Sequence, residues 1–344
     1  MTTTSVNRQW HLASRPTGEA SAANFRLVDS PLADAAELSD GEVLVRHHYM
    51  SLDPYMRGRM NDSRNYAAPQ PLNAVMQGGT VGEVIASRHA GYAVGDHVVG
   101  GGGWQEVSRI DANLPGVLRK IDTRRVPISA YLGAVGMPGV TAWVGLHKFI
   151  KAKAGETIVV SAASGAVGSM VGQLARGLGC RAVGIAGGAE KCAYVRDELG
   201  FDACVDYRQH RDAASLSAAL AEACPKGIDG CFENVGGSIL DAVMLRMNDF
   251  GRIAICGMIA GYDGTPLPMA WPSLILRSRL KVQGFIVSEH MALWPQALQE
   301  LGEGVAEGRL KYRETVAQGI LAAPEAFIGL LHGANFGKQL VKLI

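Results

Sequence analysis

A short glycine turn in the middle of the chain has the spacing of a phosphate-binding loop. In VVSAASGAVGSMVGQLA (159–175) an apolar run ends at Ala163, a small-residue turn follows, and a helical pattern begins. Ala162, Gly165 and Gly168 keep the three-residue spacing of the dinucleotide fingerprint, with alanine in the first position. Small residues let backbone N–H groups and a helix N-terminus approach a pyrophosphate. We therefore expect a dinucleotide at this turn; the alternative is a tight strand–helix turn without a ligand.

A second candidate feature follows about 20 residues later, where such proteins place the adenosine ribose. There the run RAVGIAG ends at Gly187 and Gly188, with Lys191 close behind, whereas many dinucleotide enzymes carry a carboxylate. The next strand pattern ends at Tyr207 and Arg208. An acid would repel a 2′-phosphate, whereas two glycines leave room for it and a lysine can bind it as a point charge. The pattern favours NADP(H) over NAD(H), although Lys191 alone also fits a solvated helix residue.

The first part of the chain lacks the ligands that a zinc site requires. No cysteine precedes Cys180, the stretch MQGGTVGEVIAS supplies only Gly78 and Gly79 where zinc enzymes carry histidine and glutamate, and His47 and His48 are adjacent. Neighbouring residues of a strand point to opposite faces, so these two imidazoles cannot chelate one ion. We predict no metal site.

Without a metal, a hydroxyl must stabilise negative charge that develops on a substrate oxygen. Tyr262 ends the segment ICGMIAGY after the fifth strand pattern, and strand C-termini face the ligand crevice in open α/β sheets. A tyrosine there donates a hydrogen bond while staying protonated at neutral pH. Tyr55, after the Asp53–Pro54 corner, is the second candidate; its alternative role is aromatic packing.

The elements that must position these residues fall into two patterns. Residues 1 to about 125 show short strand-like runs between glycine and proline turns, which indicates an antiparallel, partly barrel-like domain. From about residue 140, strands alternate with helices, which indicates a parallel sheet covered on both faces. The tail from about 305 has short elements that resemble the first part, so we expect it to complete that domain. The six strands of the alternating part read TIVVSAA, RAVGIAG, ACVDY, GIDGCFENV, RIAICG and KVQGFIV.

Composition fits a two-domain globular enzyme. The chain has 344 residues with a formal net charge of +1, which gives no field that attracts nucleic acid or an anionic membrane. Six cysteines without paired spacing and no apparent secretory signal favour reduced thiols in the cytoplasm. Two long uncharged runs, at 126–146 and 157–175, are interrupted by proline or by a Ser/Gly turn, so we expect a buried strand and helix in each rather than a membrane span.

Several longer motifs then show a resemblance along nearly the whole chain. The sequence resembles the zinc-independent medium-chain dehydrogenase/reductase superfamily, and within it the alkenal and prostaglandin reductase branch that includes bacterial curcumin reductases. The resemblance implies an α/β fold: a Rossmann-type doubly wound parallel sheet inserted in a GroES-like, mainly β partial-barrel domain. It implies a substrate domain at 1–137, an NADP-binding domain at 138–304 and a return segment at 305–344. The motifs are LDPYMRGRM (52–60), GMPGVTAW (136–143), AASGAVGSMVGQLA (162–175), GGAEKCAY (187–194), FENVGG (232–237), FGRIAICGMIAGYD (250–263), VQGFIV (282–287) and ANFGK (334–338).

The resemblance also implies the cofactor residues. The turn of Gly165, Ala166, Val167 and Gly168 would hold the pyrophosphate, and Lys191 and Tyr207 the 2′-phosphate. The family's usual aspartate before Asn234 is Glu233 here, from which we expect little change. Ser288–His290 replaces the usual aromatic or arginine-rich stretch at the substrate-pocket rim. The remaining implied cofactor residues are Asn234, Cys256, Gly257, Met258, Ile259, Ala260, Gly261, Tyr262, Phe285, Ile286, Val287 and Asn335.

The activity implied by the resemblance is NADPH-dependent reduction of the C=C bond of α,β-unsaturated ketones and aldehydes. Hydride would reach the β-carbon, Tyr262 and a cofactor ribose hydroxyl would hold the enolate oxygen, and solvent or tyrosine would protonate the α-carbon. Quinone reduction and a non-catalytic NADPH-binding sensor are the alternatives. A small-molecule substrate, no nucleic acid or membrane partner, and a homodimer paired through the apolar KVQGFIV strand complete the expectation.

Overall fold

The computed structural model describes residues 6–344. Within this range the chain forms fifteen strands and nine α-helices, and α2 and α4 each continue into a π-helical turn, at Gly145–Ile150 and Tyr194–Glu198. The strands are β1 (Val6–Leu12), β2 (Phe25–Pro31), β3 (Glu42–Ser51), β4 (Thr80–Ser87), β5 (His97–Gly100), β6 (Val107–Asp111), β7 (Leu118–Lys120), β8 (Thr157–Ser161), β9 (Arg181–Ala186), β10 (Ala203–Asp206), β11 (Ile228–Glu233), β12 (Met247–Ile255), β13 (Lys281–Gly284), β14 (Glu314–Gln318) and β15 (Lys338–Lys342). The helices are α1 (Tyr55–Arg59), α2 (Met137–Val144), α3 (Gly168–Gly177), α4 (Ala189–Ala193), α5 (Ala213–Ala223), α6 (Gly237–Met244), α7 (Ser273–Arg277), α8 (Trp294–Ala306) and α9 (Ala323–Leu331).

By their contacts, the described residues form two compact units. The first unit contains residues up to Leu132 together with Glu314–Asn335 and Gln339–Ile344, and the second contains Gly133–Arg313 and Phe336–Lys338. The domain limits expected from the sequence, after residues 137 and 304, stay a prediction.

The second unit contains a six-stranded parallel sheet in the order β10-β9-β8-β11-β12-β13. Its central strand β8 is apolar on both faces, and Ile158, Val159 and Val160 have no exposed surface. Strands covered on both sides by helices need such continuous apolar runs. The predicted doubly wound parallel sheet is therefore confirmed, with the strand order of a Rossmann fold.

The first unit contains a mostly antiparallel sheet in the order β14-β15-β3-β4-β5-β7, with β6 also paired to β3, and a separate hairpin of β1 and β2. Strand β15 pairs antiparallel with β3, with Leu340 opposite Ser51. The tail therefore supplies two strands to this sheet. An apolar cluster around Met50, Trp104 and Phe327 packs beside it.

The two uncharged runs fold differently from each other. The second run forms β8 and α3, as the sequence predicts. The strand predicted in the first run is wrong: Ile128–Leu132 is a 3₁₀ segment in which the Ala130 N–H donates to the Pro127 carbonyl at 3.0 Å, so the backbone closes locally. Among the described residues, no helix combines the length and the apolar character needed to cross a bilayer.

Candidate dinucleotide-binding site

The fingerprint turn joins the central strand β8 to helix α3 in the second unit. The Gly165 N–H donates to the carbonyl of Ala162 at 2.9 Å, and a Cβ added to Gly168 would lie 2.3 Å from the same oxygen. Only glycine therefore allows the helix to begin so close to the strand end. Residues 165–167 are partly exposed at the start of a ten-residue helix, where backbone N–H groups lack intrahelical partners. This geometry is suited to holding a phosphate.

The structure brings together the residues predicted to form the corner after β9. A Cβ on Gly187 would lie 2.8 Å from Cε1 of Tyr207 and 2.9 Å from Nε of Arg208, so glycine is what admits both side chains. Gly188 has φ 96°, in the left-handed region that favours glycine. Burial, followed by the nearby Arg208 guanidinium, lowers the pKa of Lys191 below its ordinary value. Two like charges thus converge beside a phenol, an arrangement that an anion would stabilise.

Asp206, which the sequence interpretation did not single out, organises this corner. Its carboxylate accepts hydrogen bonds from the N–H groups of Gly188 (2.8 Å) and Arg208 (3.0 Å), and from Nε2 of Gln209 (3.3 Å). Burial acts to raise its pKa, but these bonds and the Arg208 charge hold the pKa below the ordinary value. The signal in the sequence was an aspartate directly before a short turn, a usual N-cap pattern.

The end of β11 carries Glu233 and Asn234. Glu233 is completely buried, and its Oε1 accepts from Ser161 Oγ (2.9 Å) and from the N–H groups of Val235 (2.6 Å) and Gly236 (2.7 Å). Burial raises the pKa of this carboxyl against the opposing effect of those bonds. The Asn234 amide donates to the Ser161 carbonyl at 2.8 Å. Both side chains therefore fix the end of β11 to β8, beside the fingerprint turn.

The loop Cys256–Tyr262 is tied to the end of β11 by backbone bonds. The N–H groups of Cys256 and Gly257 donate to the Glu233 carbonyl at 2.9 and 3.2 Å. The N–H of Ile259 donates to the backbone carbonyl of Asn234 at 3.1 Å. The Tyr262 hydroxyl lies over Gly257, since a Cβ there would be 3.0 Å from it. Met258, Ala260 and Gly261 lie between these anchors. Burial raises the pKa of the Cys256 thiol to about 12, so this cysteine is a neutral loop residue.

Phe285 follows the edge strand β13, and its side chain packs in the interior. Its ring stacks on Phe149 at 4.6 Å between centroids and meets Phe232 edge-on at 6.1 Å. Ile286 and Val287 are partly exposed. At the predicted pocket rim, His290 Nδ1 lies 3.1 Å from Nζ of Lys148.

The tail reaches the fingerprint turn through Phe336–Lys338. The Gly337 N–H donates to the Ser164 carbonyl at 3.2 Å, and Gly337 forms a parallel bridge with Gly165. Asn335, predicted as a cofactor residue, directly precedes this segment.

Tyr55 belongs to the first unit, where it begins the short helix α1. The Arg59 guanidinium lies over its ring at 5.6 Å, and the buried Asp53 nearby accepts a hydrogen bond from Ser51. Burial, and then the Asp53 charge, raise the pKa of Tyr55. Its hydroxyl therefore stays protonated over the physiological pH range.

Within residues 6–344, no group of three or more His, Cys, Asp or Glu side chains is arranged to hold a metal ion. His47 is completely buried, its Nε2 lies 2.8 Å from Ser108 Oγ, and burial lowers its pKa to about 3. The His48 ring instead lies 5.9 Å from the ring of His97. The adjacent histidines thus have different surroundings.

A six-stranded parallel sheet in this order, with a glycine turn after its central first strand, defines a Rossmann-type dinucleotide-binding protein. Two family models match the chain: one described as the N-terminal domain of oxidoreductase over residues 8–115, and one described as zinc-binding dehydrogenase over residues 166–303.

Known proteins extend this similarity to almost the whole length. The chain is 44% identical to the NADPH-dependent curcumin reductase of Escherichia coli (strain K12), covering 98% of this chain and 97% of that one. It is 39% identical to the NADP(+)-dependent 2-alkenal reductase of Nicotiana tabacum, covering 97% of each. The crystal structure of CurA from Vibrio vulnificus in complex with NADPH superposes with a TM-score of 0.89 at 44% identity, over 98% of this chain and 99% of that one. The chain belongs to the medium-chain dehydrogenase/reductase superfamily, in the branch of the curcumin, alkenal and prostaglandin reductases.

Proposed function

We propose that this protein is an NADPH-dependent reductase of the C=C bond of α,β-unsaturated ketones and aldehydes. One observation carries the proposal: a corner after β9 that contains a glycine pair, two cations and a phenol. Its residues are Gly187, Gly188, Lys191, Tyr207 and Arg208. The chain is also similar along its length to proteins named as NADPH- or NADP(+)-dependent reductases. Two cations and a phenol beside a glycine pair fit a 2′-phosphate, and the neighbouring glycine turn fits a pyrophosphate.

The cofactor residues are assigned on this basis. Residues Gly165 to Gly168 would hold the pyrophosphate, and Lys191 and Tyr207 the 2′-phosphate, with Arg208 as a further cation. The first assignment is supported by Gly168, whose missing side chain lets helix α3 begin against the end of β8. The rest of the cofactor site would be Asn234, Cys256 to Tyr262, Phe285 to Val287 and Asn335. We assign this role to the predicted domain 138–304, and the substrate to the GroES-like domain 1–137 with its return segment 305–344.

NADPH, when bound, supplies the hydride that is added to the β-carbon of the substrate. The Tyr262 hydroxyl would donate a hydrogen bond to the carbonyl oxygen, which gains negative charge as the C=C bond is reduced. The loop bonds to Glu233 and Asn234 hold Tyr262 in place before the substrate arrives. Tyr55, whose raised pKa keeps it neutral over an even wider pH range than an ordinary tyrosine, is the second donor candidate. Solvent or a tyrosine would deliver the proton to the α-carbon, and the reaction would proceed without zinc.

The test is an NADPH-oxidation assay with enals, enones and quinones of graded size, with product analysis. We expect enones to be turned over with formation of the saturated carbonyl compound. Turnover of quinones without any enone would instead favour a quinone reductase. Binding of NADPH without consumption by either class would favour a sensor.

We also infer a homodimer in the cytoplasm. Strand β13 is the edge of the parallel sheet, and its side chains are largely exposed, as is Leu276 on the preceding helix α7, at 82%. Pairing two β13 edges across a two-fold axis would satisfy their free backbone groups. The molar mass in solution, compared between the wild type and Leu276→Glu, tests the dimer. Fractionation of cells that express the full chain tests the compartment.

A further inference from the structure

Three side chains of the second unit form a cluster that the proposed chemistry does not use. The Arg313 guanidinium lies 4.5 Å from the ring centroid of Tyr194 and 4.8 Å from that of Phe336. The two rings also meet edge-on, with centroids 4.9 Å apart and planes at 73°. Glu198 Oε1 accepts from Nη2 of Arg313 at 2.5 Å and so fixes the guanidinium. We call Tyr194, Arg313 and Phe336 the aromatic clamp.

Tyr194 takes part in the clamp through its ring rather than its hydroxyl. The residue is 4% exposed, and its hydroxyl oxygen is buried without a hydrogen-bond partner among the described residues. An unsatisfied buried hydroxyl is unfavourable, so the ring contacts must compensate for it. Burial also raises the pKa of Tyr194 to about 12, so its ring is neutral, as that of an ordinary tyrosine is at physiological pH.

The clamp joins segments that are far apart in sequence but share the candidate cofactor site. Tyr194 lies one helical turn after Lys191, the candidate 2′-phosphate residue. Phe336 directly follows Asn335, and Gly337 pairs with Gly165 of the fingerprint turn. The clamp therefore connects the helix after the glycine corner, the pyrophosphate turn and the tail.

The backbone of Gly337, next to the clamp, lies too close to the backbone of Arg313 for any side chain to fit. Gly337 has φ 70°, and a Cβ there would lie 2.1 Å from the carbonyl oxygen of Arg313. The N–H of Lys338 donates to the same oxygen at 2.9 Å. Backbone bonds therefore hold the tail beside Arg313, next to the ring contacts of Phe336.

We propose that the aromatic clamp is a positioning cluster for NADPH: it orders the Asn335 segment and the Lys191 helix before the cofactor arrives, and thereby sets cofactor affinity. This inference rests on the proposed function. Ordering a segment costs free energy at the moment of binding, and contacts that order it beforehand remove that cost. The clamp residues act through Asn335 and Lys191 and touch no reacting atom.

The test compares Phe336→Leu with a matched control. Leucine keeps an apolar side chain but removes the ring that faces Arg313, and Phe336→Tyr restores a ring. The control is Phe250→Leu, because Phe250 pairs with Arg279 at 4.6 Å, also in the second unit, but is 66% exposed. We expect Phe336→Leu to raise the Kd and KM for NADPH about three- to tenfold, as loss of a cation–π contact predicts. The kcat should stay close to that of the wild type, and Phe336→Tyr and Phe250→Leu should keep the wild-type Kd.

Equal NADPH affinity in Phe336→Leu and Phe250→Leu would overturn the inference, as would a failure of Phe336→Tyr to restore affinity. If Phe336→Leu does not fold, Arg313→Lys takes its place, since it keeps the charge and removes the guanidinium that lies close to both rings. A wild-type protein that binds NADPH but reduces no enone would refute the reductase proposal. The ratio of the NADPH Kd values of Phe336→Leu and Phe250→Leu would still decide the role of the clamp. A wild type that does not bind NADPH would overturn both.

Discussion

Alanine substitutions in the fingerprint turn can distinguish a turn that binds a phosphate from a turn that only connects strand β8 to helix α3. A Cβ on Gly165 would meet one atom within 4 Å, the Ala162 carbonyl oxygen at 3.2 Å. Such a contact requires a shift of a few tenths of an ångström, and alanine also reduces the freedom of the unfolded chain, which contributes about 0.4–1 kcal/mol of stability. We therefore expect Gly165→Ala to change the free energy of unfolding by less than about 1 kcal/mol.

The same methyl group would occupy the space that a pyrophosphate needs. Inserting a methyl into a filled site costs about 1–3 kcal/mol, which corresponds to a loss of NADPH affinity of about fivefold to hundredfold. Gly168→Ala should behave differently, because its Cβ would lie 2.3 Å from the Ala162 oxygen and 2.9 Å from Cα of Ala163, all backbone. That variant should lose both stability, by about 1–3 kcal/mol, and affinity.

The assay is calorimetric titration with NADPH together with denaturant unfolding of each variant without cofactor. Gly177→Ala is the matched control, since Gly177 ends the same helix α3 and a Cβ there would meet nothing within 4 Å. It should bind NADPH as the wild type does. Wild-type affinity in a stable Gly165→Ala protein would refute the reasoning and reduce the turn to a tight connection without a ligand.

Three further predictions test the other parts of the site. Lys191→Ala should weaken NADPH binding about tenfold to hundredfold and NADH binding much less, because a charge-assisted hydrogen bond contributes about 1.5–3 kcal/mol. Lys226→Ala, before β11, is the control. Equal losses for both cofactors would contradict a role of Lys191 in binding the 2′-phosphate. Tyr262→Phe should lower kcat about tenfold to hundredfold and leave NADPH binding nearly intact. Loss of one oxyanion donor alone costs about a hundredfold to a thousandfold in rate, and a cofactor ribose hydroxyl would share the role of Tyr262. An unchanged kcat would make Tyr55 the next candidate. Exhaustive chelation should leave full activity, whereas one tightly bound zinc per chain whose removal abolishes turnover would exclude a metal-free mechanism.

The parts of the fold that the sequence predicted are those governed by local pattern. The continuous apolar runs of β8 and β9 and the small residues between Ala162 and Gly168 carry their signal within a few positions. The strand predicted in the run 126–146 was wrong because apolar character alone does not separate a buried strand from other buried elements. There Pro127 and a local hydrogen bond produced a 3₁₀ segment.

The aromatic clamp could not be predicted in this way, because its members come from residues 194, 313 and 336. Only the folded chain brings the guanidinium against both rings, and nothing in the flanking sequence marks any of the three residues. The carboxylate of Asp206 is an intermediate case: its capping of the turn at Tyr207 is a local signal, whereas its bond to Gly188 depends on the pairing of β9 with β10.

Asp206 also bears on the choice of cofactor, since an acid in this corner would at first sight oppose a phosphate. Its carboxylate oxygens accept hydrogen bonds from N–H groups of Gly188, Arg208 and Gln209, so the carboxylate stabilises the backbone of the corner. Lys191 and Arg208 repel each other: burial and then the Arg208 charge lower the pKa of Lys191, against the opposing effect of Glu190. A phosphate monoester carries a charge of about −1.5 to −2 at neutral pH and would relieve that repulsion. A ribose hydroxyl carries no charge and would leave the repulsion as it is in the free protein, so the two cations favour binding of NADPH and contribute little to binding of NADH.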